Sequence, residues 1–202
     1  MPDSHGAAPQ FDVVAIGASA GGVEALYTIA AALPGDFLAP VLVVQHMDPR
    51  HKSLLAGLLG RRCRLRVKQA TNDEAVSGGT IYIAPPDMHL IVRSGRLVLT
   101  ETAHVHFSRP SIDILFQSVA DAYGDRAIAV ILSGSGMDGA DGIRAIKAKG
   151  GTTLVQDPAS AAHNGMPQAA RATKCVDFTL ALEEIGPALA SLVAPATEMT
   201  HE

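Results

Sequence analysis

Hydrophobic positions along the chain follow two alternating rhythms. Residues 12–16 (DVVAI), 41–45 (VLVVQ), 127–132 (AIAVIL) and 152–156 (TTLVQ) are short runs, mostly apolar and β-branched. Such runs suit strands buried on both faces of a parallel sheet, where few side chains meet water. Between them the apolar residues recur every three or four positions. Val23, Leu26, Ile29, Ala30 and Leu33 share one helical face, which Pro34-Gly35 ends. Ile112, Leu115, Phe116 and Val119 share another within 110–122. Residues 51–60, a stretch running to Lys149 before Gly150-Gly151, the segment NGMPQAAR and residues 180–193 complete the predicted helices.

Two stretches alternate instead. In CRLRVK, Cys63, Leu65 and Val67 point one way, while Arg62, Arg64, Arg66 and Lys68 point the other, which is strand periodicity with a charged face. Such a face meets an acidic partner helix or, more simply, keeps an edge strand solvated and unaggregated. Residues 78–100 place Ile81 and Ile83 in one strand, then two runs joined at Ser94-Gly95 as a β-hairpin. Strands alternating with helices predict an α/β fold of three layers: a doubly wound, mainly parallel sheet with the hairpin near one edge. With no repeat or low-complexity linker, residues 11–193 read as one domain. Residues 1–10 are then a flexible lead and 194–202 a flexible tail.

Composition narrows the function. The chain has 202 residues, 48% of them hydrophobic, enough for one sizeable core. Its net charge of −4, with no basic tail, gives no electrostatic reason to expect nucleic acid. Only Cys63 and Cys175 are present, which fits a reducing compartment rather than a disulfide framework. No apolar run approaches the ~20 residues of a membrane span, and MPDSHGAAPQ has neither the basic start nor the apolar stretch of a signal peptide. The expectation is a cytoplasmic protein without membrane insertion.

In an open parallel sheet, chemistry collects beyond the carboxyl ends of the strands. The first strand ends in GASAGG with Ser19, the second in QHMDP with His46, and the strand at 127–132 in SGSGMDG with Ser133, Ser135 and Asp138. A serine, a histidine and an aspartate thus converge on one edge. Those are the types a serine hydrolase needs, because serine is a weak nucleophile until a base, itself oriented by an acid, takes its proton. The glycine-rich turn after the first strand admits other readings. A phosphate loop would need Lys after the glycines, and a dinucleotide site would prefer Gly at Ser19 and an acid ending the second strand, where Val44-Gln45-His46 stands. GASAG, by contrast, matches G-x-S-x-G, a strand-to-helix elbow that lifts a serine above a sheet and offers free helix N–H groups to an oxyanion. A plain helix cap remains a third reading of Ser19. The order Ser, His, Asp differs from the Ser, acid, His of common α/β-hydrolases. Asp138 alone could also be read as a helix-start charge.

The motifs IGASAGGVEAL, VVQHMDP, SRPSIDILFQSVA, ILSGSGMDGADGI and QDPASAAHNGMPQAA, in this order over about residues 12–190, resemble the catalytic domain of the CheB family. These are the bacterial chemotaxis protein-glutamate methylesterases. The resemblance implies a parallel α/β sheet, hydrolysis of γ-glutamyl methyl esters on methyl-accepting chemotaxis receptors and, for many members, deamidation of receptor glutamines. Its nucleophile falls on Ser19, its base on His46 and its acid on Asp138. Backbone around Ala20 and Gly21, and the loop of Ser135, Gly136 and Met137, would hold the oxyanion and line the site. No cofactor or metal is implied, and the pair His104-x-His106 lacks a placed third ligand. Ser135 stands where the family commonly has Met, Ala20 where Thr is frequent, and Ser108 where some members have His. The usual enzyme carries an N-terminal receiver domain; only about ten residues precede the first strand here, so no receiver is expected within these 202 residues. A receiver or other signalling domain acting in trans is then a candidate partner. A reading from another class is a non-catalytic regulatory module that binds a receptor or a small anion with the same loops.

Overall fold

The computed structural model describes residues 11–47 and 53–195. The expected lead, all of the expected tail but its first two residues, and the start of the helix expected over 51–60 lie outside them. In chain order the strands are Val13–Ala18 (β1), Val41–Gln45 (β2), Arg66–Gln69 (β3), Glu74–Ala75 (β4), Thr80–Ile83 (β5), His89–Arg93 (β6), Arg96–Thr100 (β7), Ala127–Ile131 (β8), Thr152–Gln156 (β9) and Phe178–Leu180 (β10). The α-helices are Gly22–Ala32 (α1), Leu55–Gly60 (α2), Ile112–Tyr123 (α3), Ala140–Ala148 (α4), Gly165–Ala172 (α5) and Leu182–Val193 (α6).

The continuous apolar runs became the centre of a seven-stranded sheet ordered β10-β9-β8-β1-β2-β5-β3. All its pairings are parallel, with Gly17 of β1 between Val44 of β2 and Ile131 of β8. The alternation of a strand sends successive side chains to opposite faces. Val14, Ile16 and Ala18 therefore join α1, α2 and α6 in one core. Val13 and Ala15 join α3, α4 and α5 in the other. The expected three-layer fold is what forms. β1 is its switch point: β2, β5 and β3 extend the sheet on one side of it, and the chain then crosses through α3 to build β8, β9 and β10 on the other, so a crevice opens at the carboxyl ends around β1.

Two details differ from the pattern. The hairpin at Ser94-Gly95 forms as expected but apart from the parallel sheet: β7 pairs with β6 on one side and with the two-residue β4 on the other in a separate antiparallel sheet, and β6 packs on α3. The alternating basic stretch becomes a strand only at Arg66, where it closes the sheet edge against β5. Ahead of it the chain turns out of α2, and the Arg62 guanidinium lies over the Tyr27 ring, 5.7 Å from its centroid. One close approach matters for the site. A Cβ on Gly17 would fall 2.4 Å from Ile112 Cγ2. Glycine there lets the start of α3 sit directly on the end of β1.

Candidate active site

Ser19 follows β1 without a break, and backbone bonds register it against its neighbours. Its N–H donates to Ser133 O at 3.0 Å, and His46 N–H donates to Ala18 O at 2.9 Å. Gln45, a polar residue closing the buried β2, turns its amide into this edge. Its Nε2 donates to Ser19 O at 2.8 Å and to His46 O at 2.9 Å, so one side chain ties the two strand ends together. Ser133 is a structural tie as well: its Oγ donates to Ala20 O at 2.8 Å and accepts from His163 N–H at 2.9 Å. Among the described residues Ser19 Oγ has no hydrogen-bond partner.

His46 and Asp138 meet directly. His46 Nε2 donates to Asp138 Oδ2 at 2.9 Å. The same carboxylate accepts from Ile112 N–H at 2.9 Å, from Ser111 Oγ at 3.0 Å and from Asp113 N–H at 3.0 Å. Asp138 thus caps the start of α3, although it lies next to the start of α4. Asp113, in the first turn of α3, returns the bond: its Oδ1 accepts from Gly139 N–H at 2.9 Å and Gly142 N–H at 2.7 Å, capping α4. The two helices exchange carboxylates, each satisfying donors the other leaves orphaned.

The exchange sets the charges. Burial pushes the Asp138 carboxyl up, but the bonds from His46 and from the Ile112 and Asp113 N–H groups outweigh it, so Asp138 titrates below the ordinary carboxylate range. Asp113 moves the other way, to about 6, through burial first and the nearby Asp138 charge, against the Gly142 N–H. Its Oδ2 lacks a hydrogen bond among the described residues, yet it lies 3.3 Å from His106 Nε2, an ion-pair distance without hydrogen-bond alignment. Behind Ser111 stands His89, fully buried. Its Nδ1 accepts from Ser111 N–H at 3.1 Å and its Nε2 donates to Ala103 O at 3.1 Å, and burial lowers its pKa. It is a neutral structural histidine supporting the cap.

Donors for an anion are available beside Ser19. The Ala20 and Gly21 N–H groups have no acceptor among the described residues, and Gly21 (φ 72°) makes the turn into α1. The loop of Ser135, Gly136 and Met137 is exposed, with Gly136 at φ 88°. A cavity of about 110 Å³ adjoins His46, lined also by Met47, His104, Phe107, Ser108, Arg109 and Pro110. Of the two histidines in HVH, His106 joins a carboxylate group: it, Asp113 and Asp141 bring ligand atoms within 4.8 Å of one another. Arg144 already pairs with Asp141, and Asp113 is committed to α4.

Sequence reading missed Gln45, His89, Ser111, Asp113 and the tying role of Ser133. Two signals were visible: a polar residue ending an otherwise apolar strand, and a serine just ahead of the helical pattern of α3, where it caps by accepting from Ile114 N–H. The exchange between α3 and α4 joins residues 25 or more positions apart and had no local signature.

Comparison with known proteins gives the family. The family model described as CheB methylesterase matches residues 14–189. A protein of Leptospira interrogans is 39% identical over 176 residues, covering 87% of this chain and 91% of the relative. The protein-glutamate methylesterase/protein-glutamine glutaminase 2 of Anaeromyxobacter dehalogenans is 43% identical over 92% of this chain, which spans 54% of that longer relative. The crystal structure of the Thermotoga maritima CheB methylesterase catalytic domain superposes with a TM-score of 0.87 at 36% identity, covering 91% of this chain and 99% of that one. The chain belongs to the CheB methylesterase family.

Proposed function

We propose that this chain hydrolyses γ-glutamyl methyl esters on chemotaxis receptors, with Ser19 as nucleophile, His46 as general base and Asp138 as the acid that orients it. The observation that carries the reading is the 2.9 Å bond from His46 Nε2 to a buried Asp138, at the sheet edge where β1 delivers Ser19. Because Asp138 holds Nε2–H, the nitrogen left to take the serine proton is Nδ1. The serine-protease template uses the opposite nitrogens.

The steps follow. His46 Nδ1 takes the Ser19 Oγ proton as Oγ bonds to the γ-carbonyl carbon. The oxyanion rests on the N–H groups of Ala20 and Gly21, with the Gly136 loop as a further contributor. Asp138 stabilises the imidazolium formed in this step. The tetrahedral species collapses, its bond to the methoxy oxygen breaks, and His46 returns the proton to release methanol. Water then attacks the acyl-Ser19 by the same route and leaves a free glutamate carboxylate. With glutamine the leaving group is ammonia, which makes deamidation the same reaction. Each step uses protein groups and water alone.

The reading places the enzyme in the cytoplasm, with the receptor as substrate and a receiver or other signalling domain in trans as regulator. Among the described residues no helix is long and apolar enough to cross a membrane. The test is release of labelled methanol from a methyl-esterified chemoreceptor cytoplasmic domain. Ser19→Ala and His46→Ala should each remove nearly all turnover, on the order of 10⁶ in rate, since such residues act as a unit. Release within about tenfold of wild type by either variant overturns the assignment.

A further inference from the structure

The loop between β7 and α3 holds a feature that neither the fold nor the proposed chemistry requires. Val105 and Ser108 exchange both backbone hydrogen bonds, at 3.1 and 2.8 Å. The two residues between them, His106 and Phe107, sit at φ 49° and 62°. Two successive positive φ values make the tight turn that ordinarily takes Asn-Gly, because a Cβ is strained there. Histidine visits this region more readily than most residues; phenylalanine does not. The Phe107 side chain is fully exposed, at 100%, so burial does nothing to offset the strain. The turn is also braced. His106 faces Asp113 on one side, and on the other Arg109 pairs with Asp87 at 2.7 Å and donates to the Glu101 and Thr102 carbonyls.

We propose that Phe107 is a specificity-determining contact, an apolar ring held out to grip an apolar face of the receptor segment flanking the esterified glutamate. This rests on the esterase reading above. Strained, solvent-facing residues that the surroundings over-determine concentrate where a ligand binds. Phe107 lines the same cavity as His46, so the surface is continuous with the reacting centre. That cavity, about 110 Å³, has room for the end of one side chain and not for a protein segment. The rest of a protein substrate must cross its rim. Phe107 stands there; Met137, on the loop that bears Asp138, is a second exposed apolar side chain, at 58%. Aromatic side chains are the usual anchors of such contacts.

The test compares wild type with Phe107→Ala, Phe107→Leu and Phe107→Gly on the labelled methyl-esterified chemoreceptor cytoplasmic domain. The alanine and glycine variants should raise KM at least about tenfold with kcat within about threefold, the signature of lost substrate binding. Leucine should recover most of the loss. Phe107→Gly should also melt above wild type, because glycine adopts the turn without strain. Normal methanol release by wild type with an unchanged KM in Phe107→Ala overturns the proposal alone; no release by wild type overturns the esterase reading and the proposal with it. A Phe107→Gly variant that melts below wild type gives the ring a structural role and overturns the proposal. So does a wild-type dimer that Phe107→Ala dissolves in sedimentation, which makes a second copy the occupant.

Discussion

Asp138→Asn is the substitution that asks most of this site. The carboxylate accepts four hydrogen bonds, two at each oxygen. An amide keeps the shape but has one oxygen, so in either orientation its NH₂ faces donors. Turned toward His46 and Ile112, it strips His46 of its partner and frees the ring to take the other tautomer. Turned toward Ser111 and Asp113, it leaves the Asp113 N–H unpaired at the start of α3. A buried group left unsatisfied costs about 1–3 kcal/mol, and the cheaper orientation leaves one, so the variant should lose about 1–3 kcal/mol. At about 2–4 °C per kcal/mol for a domain of this size, its melting point should fall by roughly 2–12 °C. Turnover of the folded fraction should also fall about 10²–10⁴-fold, because the imidazolium loses its counter-charge and tautomer control. A helix-start charge and a catalytic acid look like competing readings of Asp138 from its position in the chain. The structure makes one carboxylate serve α3 and His46 together, so both losses are expected in one protein. Thermal melts and methanol release on the same preparation decide. An unchanged melting point would refute the exchange of caps, and a rate within tenfold of wild type would remove Asp138 from the mechanism.

Three further outcomes follow from named contacts. Gly134→Ala would put a Cβ 2.9 Å from Ser19 Cβ and 2.1 Å from Met166 Sδ; it should cost about 1–3 kcal/mol in a melt and at least about 10²-fold in kcat through displacement of the serine, and a wild-type rate would contradict the placement. Gln45→Leu removes the donor shared by the Ser19 and His46 carbonyls; a loss of about 1–3 kcal/mol is expected by chemical denaturation, with slower methanol release, and an unchanged rate would mean the strand ends hold their register without it. Burial keeps the folded-state pKa of His89 below its unfolded value of about 6.5. At this residue the unfolded chain therefore binds more protons below that pH, so His89 takes stability away as pH falls through about 6.5 toward 5, while Asp113, raised to about 6, acts in the opposite direction; the stability of His89→Gln relative to wild type should therefore rise over that fall in pH, and an equal pH dependence in the two proteins would contradict the assignment.

How much was legible in the chain varied with how local the physics is. The runs at β1, β2, β8 and β9 have few polar positions to leave in water, so a buried parallel strand was the natural solution, and Ser19 and His46 fell at strand ends by counting. β4 and β10 have two and three residues and no apolar rhythm to read. The separate hairpin sheet depends on α3 covering β6, a tertiary choice. The turn at His106-Phe107 breaks the residue rules that make turns readable, which is why it was invisible in sequence and informative in structure. The roles of Ser111 and Asp113 depend on the starts of α3 and α4 meeting, with Ile112 packed over Gly17, and only the assembled sheet brings them there.

Everything in the proposed chemistry depends on Ser19 being a nucleophile activated by His46. A serine-directed fluorophosphonate, with the adduct located by peptide mass, reads that activation without a receptor. A single adduct is expected on the Ser19 peptide, formed at least about 100-fold more slowly in His46→Ala. An adduct on Ser133, Ser135 or Ser111, or labelling of Ser19 at the same rate without His46, would contradict it.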